Sequence, residues 1–145
     1  SVRAASAGVN MNRGFVKAYL ATLVPFIVLD GLWLGLVAQT FYQSQIGFIM
    51  AKNPIWAAAI VFYLLYVAGM VVFTVQPSLN AGGLGRAAAR GAFFGLICYA
   101  TYDLTNLATL QGWPIAVTIV DLIWGASVSA LSTVAAVWFL SRRSK

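Results

Sequence analysis

The chain reads as an all-α, polytopic membrane protein of four transmembrane helices with both termini on the cytoplasmic side. Three observations predict this. Hydrophobic residues make up 61% of the sequence and charged ones only 8%, against about a quarter charged in soluble domains. Too few polar side chains remain to cover a water-exposed surface. Apolar stretches of about twenty residues recur, each long enough to cross a hydrocarbon layer of about 30 Å. The basic residues are also lopsided. Arg3, Arg13 and Lys17 precede the first span, Arg86 and Arg90 lie between the second and third, and Arg142, Arg143 and Lys145 follow the fourth. Lys52 alone falls on the other side. Lys and Arg accumulate in cytoplasmic loops, so this bias orients the bundle. The net charge of +6 therefore reports topology and gives no ground for a nucleic-acid partner.

Residues 1–13 are expected to be a disordered extension. The opening "SVRAASAGVN" is small, polar, Arg-containing and free of acids, as a cloning scar, a read-through segment or the remnant of a transit peptide would be. Residues 14–145 then form a single four-helix transmembrane domain. The spans fall at about 18–40, 55–75, 87–110 and 114–140, each broken from the next by turn chemistry: Asn53-Pro54, Gln76-Pro77 through Gly82-Gly83, and Gly112-Trp113-Pro114. The last break is so short that the third and fourth spans form a tight antiparallel hairpin. Pro25 removes a backbone bond within the first span and predicts a kink there. Trp113 and Trp138, near helix ends, read as interface anchors. The setting is the cytoplasmic membrane of a bacterium, or a plastid or other organelle membrane if the extension is a transit-peptide remnant.

All three acids of the chain, Asp30, Asp103 and Asp121, lie inside spans. Counted from the outer helix ends, Asp30 is roughly 15 Å deep and the other two roughly 10 Å. They share one layer in the outer half of the bilayer. An aspartate near a helix centre costs about 2.5–3.5 kcal/mol on insertion scales, and no Lys or Arg stands at matching depth. Protonation, a bound cation or polar ligand, or a water-filled cavity would resolve the cost. A single such acid reads best as part of a hydrogen-bonded packing core; three in one layer read as a site.

The neighbours support that reading. On the third span Tyr99, Tyr102, Asp103 and Asn106 fall at i, i+3, i+4 and i+7, one helical face. Below them Ala87, Gly91 and Gly95 follow the small-xxx-small pattern of close helix approach, which puts this helix at the centre. Thr101, Thr105 and Thr109 point elsewhere and bond their own backbone. Spans one and four echo each other in "LDGLWLG" and "VDLIWGA". Each places a Trp one turn after an Asp, Trp33 after Asp30 and Trp124 after Asp121, with the indole N–H free to donate to a carboxylate or ligand. As the two helices run in opposite directions, the indoles are expected to bracket the acid layer from above and below. Tyr63, Tyr66, Met70 and Phe73 on the second span form a stripe at helical spacing and read as packing.

Together "DGLWLG", "FYQSQIG", "FYLLYVAG", "YATYDLTNLATLQGWP" and "DLIWG" resemble the bacterial membrane family called domain of unknown function 2177. The resemblance covers roughly residues 18–130. It implies a four-helix integral membrane protein and assigns no activity, cofactor or catalytic residue.

Three functions are compatible with these residues. The first is transport-like: the acid layer binds or conducts a proton, a cation or a small polar solute, with a dimer enclosing the volume that four short helices lack. The second is a non-catalytic subunit or assembly factor of a larger membrane complex, suited to an aromatic-rich chain with minimal loops. The third is an intramembrane enzyme acting on lipid, with two carboxyls as acid and base. The balance is against an enzyme: there is no His, and Cys98 lies in an apolar setting that disfavours a thiolate. Haem and zinc lack ligands for the same reason, and "GGLG" lacks the Lys-Ser/Thr of a phosphate loop. The expected partners are the lipid bilayer and a second copy or a larger complex.

Overall fold

The structure is a computed structural model that describes residues 2–143, with side chains from residue 13 to 142. Its described residues form helices and short turns, without strands. Helix α1 covers Val2–Trp33 and passes through Pro25. It continues as a π-helical turn, Leu34–Ala38, and then as α2, Gln39–Ile46. No break marks the boundary expected at residue 13; the side chains of residues 1–12 lie outside the described ones. The helix continues through Pro25, and a π turn follows at Leu34–Ala38. The rod also outruns its expected end at residue 40, because nothing breaks it before Gly47, whose N–H closes on the Gln43 carbonyl at 3.1 Å.

The second rod is α3, Trp56–Met70, a π turn, Val71–Val75, and α4, Gln76–Asn80. Pro77 was expected to end it. Instead the looser π turn immediately upstream accommodates the missing N–H and the ring. The chain reverses at Gly82 and Gly83, whose φ angles of 120° and 70° suit residues without a Cβ. The last two helices are α5, Gly83–Thr109, and α6, Ile115–Arg143.

Three helical rods are long and apolar enough to cross a membrane: Arg13–Ile46, Trp56–Asn80 and Ile115–Arg142. The fourth helix, α5, spans roughly 40 Å at the helical rise but is diluted by glycines, two arginines and Asp103. Contrary to expectation the central helix is α6, which contacts α5 and both other rods, whereas α5 packs chiefly on α6 and the second rod. Ala87, Gly91, Gly95 and Asp103 are the buried residues of α5, and its buried side lies on α6. A Cβ placed on Gly91 would stand 2.6 Å from the Ser129 carbonyl and 2.8 Å from the Ala130 Cα, and one on Gly95 would collide with the Gly125 carbonyl. The expected small-residue seam is thus the contact between α5 and α6.

Around this hairpin the remaining contacts alternate between apolar and hydroxyl groups. Phe26, Tyr66, Val67, Met70 and Val128 form one buried cluster, and Ala18, Val71, Val75, Ala87, Ala136 and Val137 another. Between them the Tyr66 hydroxyl pairs with Ser129 at 2.6 Å and Thr74 with Thr133 at 2.9 Å. Leu20, Val24, Leu65 and Ile123 are more than half exposed, as expected of a surface solvated by lipid. Trp113 departs from its expected role. It is buried, and its indole N–H donates to Thr118 Oγ1 at 3.1 Å at the start of α6. Trp138 stays partly exposed, with the Arg142 guanidinium 4.3 Å above its ring.

Because the hairpin is packed to backbone contact, Gly95→Leu should lower the thermal unfolding temperature of the detergent-solubilised protein, at an overpacking cost of about 1–3 kcal/mol or more. Gly85→Ala, with open space around its Cβ, should leave that temperature unchanged or raise it slightly.

Candidate functional site

Four helical rods deliver acids or their partners to one level of the bundle. Asp30 on α1 is 8% exposed and accepts two hydrogen bonds from other helices. The Tyr63 hydroxyl on α3 donates to its Oδ2, and the Trp124 indole N–H on α6 donates to its Oδ1 at 3.1 Å. Asp121 on α6 is equally buried and accepts from the Tyr42 hydroxyl on α2. Phenols and indoles thus do here what Lys and Arg do in water-soluble cores: they solvate a carboxyl without adding charge.

The two Asp-x-x-Trp echoes are joined by one crossed bond, while the Trp33 indole interacts with the Tyr42 hydroxyl. Trp124 serves the acid of α1 and not the acid on its own helix. Trp33 and Trp124 stack face to face, with centroids 4.4 Å apart and planes 8° from parallel. They do not bracket the acids from opposite ends as expected. The reason is the antiparallel geometry: one turn outward from Asp30 and one turn inward from Asp121 carry the two indoles past each other to adjacent levels. The glycine behind Trp124 has its own role. A Cβ on Gly125 would collide with the Tyr99 ring, so this residue lets Tyr99 lie flat against α6.

Asp103 completes the group from behind. It is fully buried, and neither carboxyl oxygen has a hydrogen-bond donor of good geometry. The group that acts on it is Asp121, through the proximity of the two carboxyls. An ionised pair so placed would be repulsive and unsolvated. A shared proton or an intervening cation is the chemistry that satisfies it.

A cleft of about 610 Å³ opens in front of these groups, with Asp30, Trp33, Tyr99, Asp121 and Trp124 in its walls. Gln39, Tyr42, Gln43 and Met50 extend the lining toward the loop that follows α2. No Lys or Arg lines it. A smaller cavity of about 380 Å³ reaches Asp121 and Tyr99 from the opposite side, between Phe62, Tyr66, Cys98 and Tyr102. Asp121 and Tyr99 are therefore the wall that the two cavities share.

Of the eight residues singled out from sequence, five line the main cleft, and Asp103 stands behind it. Tyr102 and Asn106 are not in its lining. Tyr102 is 55% exposed and packs edge-on to Trp113, with Asn106 beside it. Thr101, Thr105 and Thr109 each bond the carbonyl one turn back, as expected. Sequence reasoning missed Tyr42, Gln39, Gln43 and Tyr63. The polar run "QTFYQSQ" carried a signal for the first three, since Gln39, Tyr42 and Gln43 sit at i, i+3 and i+4. The π turn before them adds a residue to the helical repeat and turns that face onto the cleft.

No curated protein and no solved structure matches the chain. The profile of one family, described as predicted membrane protein, domain of unknown function 2177, matches residues 15–138. That match spans the Asp30–Trp124 bond, the stacked indoles and both cavities, and the chain belongs to this family of predicted membrane proteins.

Proposed function

We propose that the protein binds a proton, a cation or a small polar solute at the carboxyl cluster, and that it exchanges this species with the outer side of the membrane in a transport-like cycle. The observation that carries the reading is Asp103: a fully buried carboxyl without a donor, placed against a second carboxyl that faces two cavities. Burying a polar group without a partner costs free energy, and a purely structural core would have replaced it with an apolar residue of similar size. In this reading Asp103 and Asp121 hold one proton between them, and a cation arriving at Asp121 displaces it. Tyr42 follows Asp121 as donor, Tyr63 and Trp124 keep Asp30 solvated, and Gln39 and Gln43 line the approach.

The excess of Lys and Arg at one end supports an orientation with both termini cytoplasmic. The cleft, which runs from Asp30 toward Met50, then opens outward. In a Cys98→Ala background, Gln111→Cys should react with a membrane-impermeant maleimide added to intact cells, and Asn80→Cys only after permeabilisation. The reverse pattern would invert the direction of access.

The proton shared by Asp103 and Asp121 is tested by infrared absorption of the purified protein at neutral pH. A protonated carboxyl band should be present, should shift on hydrogen–deuterium exchange, should be lost in Asp103→Asn, and should move in frequency in Asp121→Asn, where Asp103 stays buried but loses the carboxyl that shares its proton. It should persist in Asp30→Asn. Absence of the band in the unaltered protein, with no cation bound, would leave a structural polar core as the correct account.

A further inference from the structure

We propose that the species bound in the cleft is an amphipathic organic cation, a protonated amine or a quaternary ammonium or phosphonium centre carried on an apolar or aromatic body, with access from the bilayer as well as from water. This rests on the reading of the carboxyl cluster as a binding site and narrows its ligand.

Charge sets the first constraint. Asp30 and Asp121 line the cleft, Asp103 lies behind Asp121, and no basic side chain faces them. An anion is excluded by this field, and a cation is favoured.

Size and donor arrangement set the second. A proton or bare metal ion needs no cavity of about 610 Å³, whereas that volume is ordinary for a small organic molecule. Among the described residues, no three His, Cys, Asp or Glu side chains are gathered closely enough to hold a metal ion. Asp30 is also already occupied on both oxygens by Tyr63 and Trp124. That leaves Asp121 as the carboxyl that meets an incoming charge.

The remaining wall is aromatic and aliphatic. The stacked Trp33–Trp124 pair stands beside the carboxyls in the cleft wall, and an indole face attracts a desolvated cation through its ring quadrupole. Leu34, Ile46 and Met50 complete an apolar lining that a hydrated inorganic ion does not use. The smaller cavity supplies the access from lipid. Phe62 and Tyr102, about half exposed on the outer surface of the bundle, flank it, and it ends on Asp121. A solute that partitions into the bilayer by its apolar body reaches the same carboxyl from that side.

The test uses the full chain purified in dodecyl maltoside, with radiolabelled tetraphenylphosphonium as the probe and sodium and potassium ions as comparators. Saturable binding is expected. Asp121→Asn should weaken it about tenfold or more, as loss of a buried charge partner does. Trp33→Ala should weaken it as well, and Trp33→Phe should retain most of it. Size-exclusion profiles and unfolding temperatures show whether each variant is folded, and Trp33→Phe keeps the test valid if Asp121→Asn is not. Binding that is non-saturable, or that Asp121→Asn and both Trp33 variants leave unchanged, overturns the proposal as mere partition into detergent. If tetraphenylphosphonium fails to bind but sodium or potassium alters the carboxyl infrared band, the organic-cation assignment falls and the broader reading stands. If there is no binding, no response to ions and no carboxyl band, both fall.

Discussion

The backbones of α5 and α6 approach so closely that one added methyl at Gly91 or Gly95 would meet a carbonyl of the facing helix. In a bilayer, lipid is as apolar as leucine, so helices associate by van der Waals contact and interhelical hydrogen bonds. Glycine makes such contact possible over a continuous seam. The placement of the polar groups follows from it. At this separation Asp103 and Asp121 have no room for an intervening side chain, and Tyr99 lies in the space that Gly125 leaves open. The opposite side of α6 is then free to present Trp124 to α1.

The acids act as cross-links between rods. Asp30 joins α1 to α3 and α6, and Asp121 joins α6 to α2. These two carboxyls, unlike Asp103, are solvated by hydroxyl or indole donors from other helices, which avoids the several kcal/mol that desolvating a second full charge would add. The arrangement keeps the cluster acidic on balance. A Lys or Arg partner would have neutralised it and left nothing for an incoming cation to recognise.

Hydropathy and the basic-residue bias made the rods legible, because both depend on composition over long windows. Their ends were less so. The first and second rods run past residues 40 and 75 because a single Pro or polar pair does not stop a helix that a π turn can relax. The same π turns explain the missed residues. Periodicity arguments assume an unbroken 3.6-residue repeat, and Leu34–Ala38 breaks it just before Gln39, Tyr42 and Gln43. Tyr63 was absorbed into an apolar stripe because its hydroxyl leaves no trace in a hydrophobic pattern. Tyr102 and Asn106 fall outside the main cleft, though Tyr102 lines the smaller cavity, for the opposite reason: one helical face is wide, and only the neighbouring helix decides which edge of it is covered. Asp30, Trp33, Asp121 and Trp124 were found by spacing alone, yet which acid meets which indole depended on the offset between antiparallel helices, which spacing within one helix does not contain.

The hydroxyl pairs along the second rod differ mechanically from the glycine seam. Thr74 and Thr133 face each other, and each hydroxyl also lies within reach of the carbonyl one turn back on its own helix; with one proton apiece, one donates across the pair and the other to its own carbonyl. If the rods parted, each of these two hydroxyls would still have a carbonyl of its own helix to donate to. The seam between α5 and α6 has no such fallback, since its strength is contact area that vanishes with distance. Displacement of the second rod would carry Tyr63 away from Asp30 and widen the smaller cavity, while the paired carboxyls kept their positions.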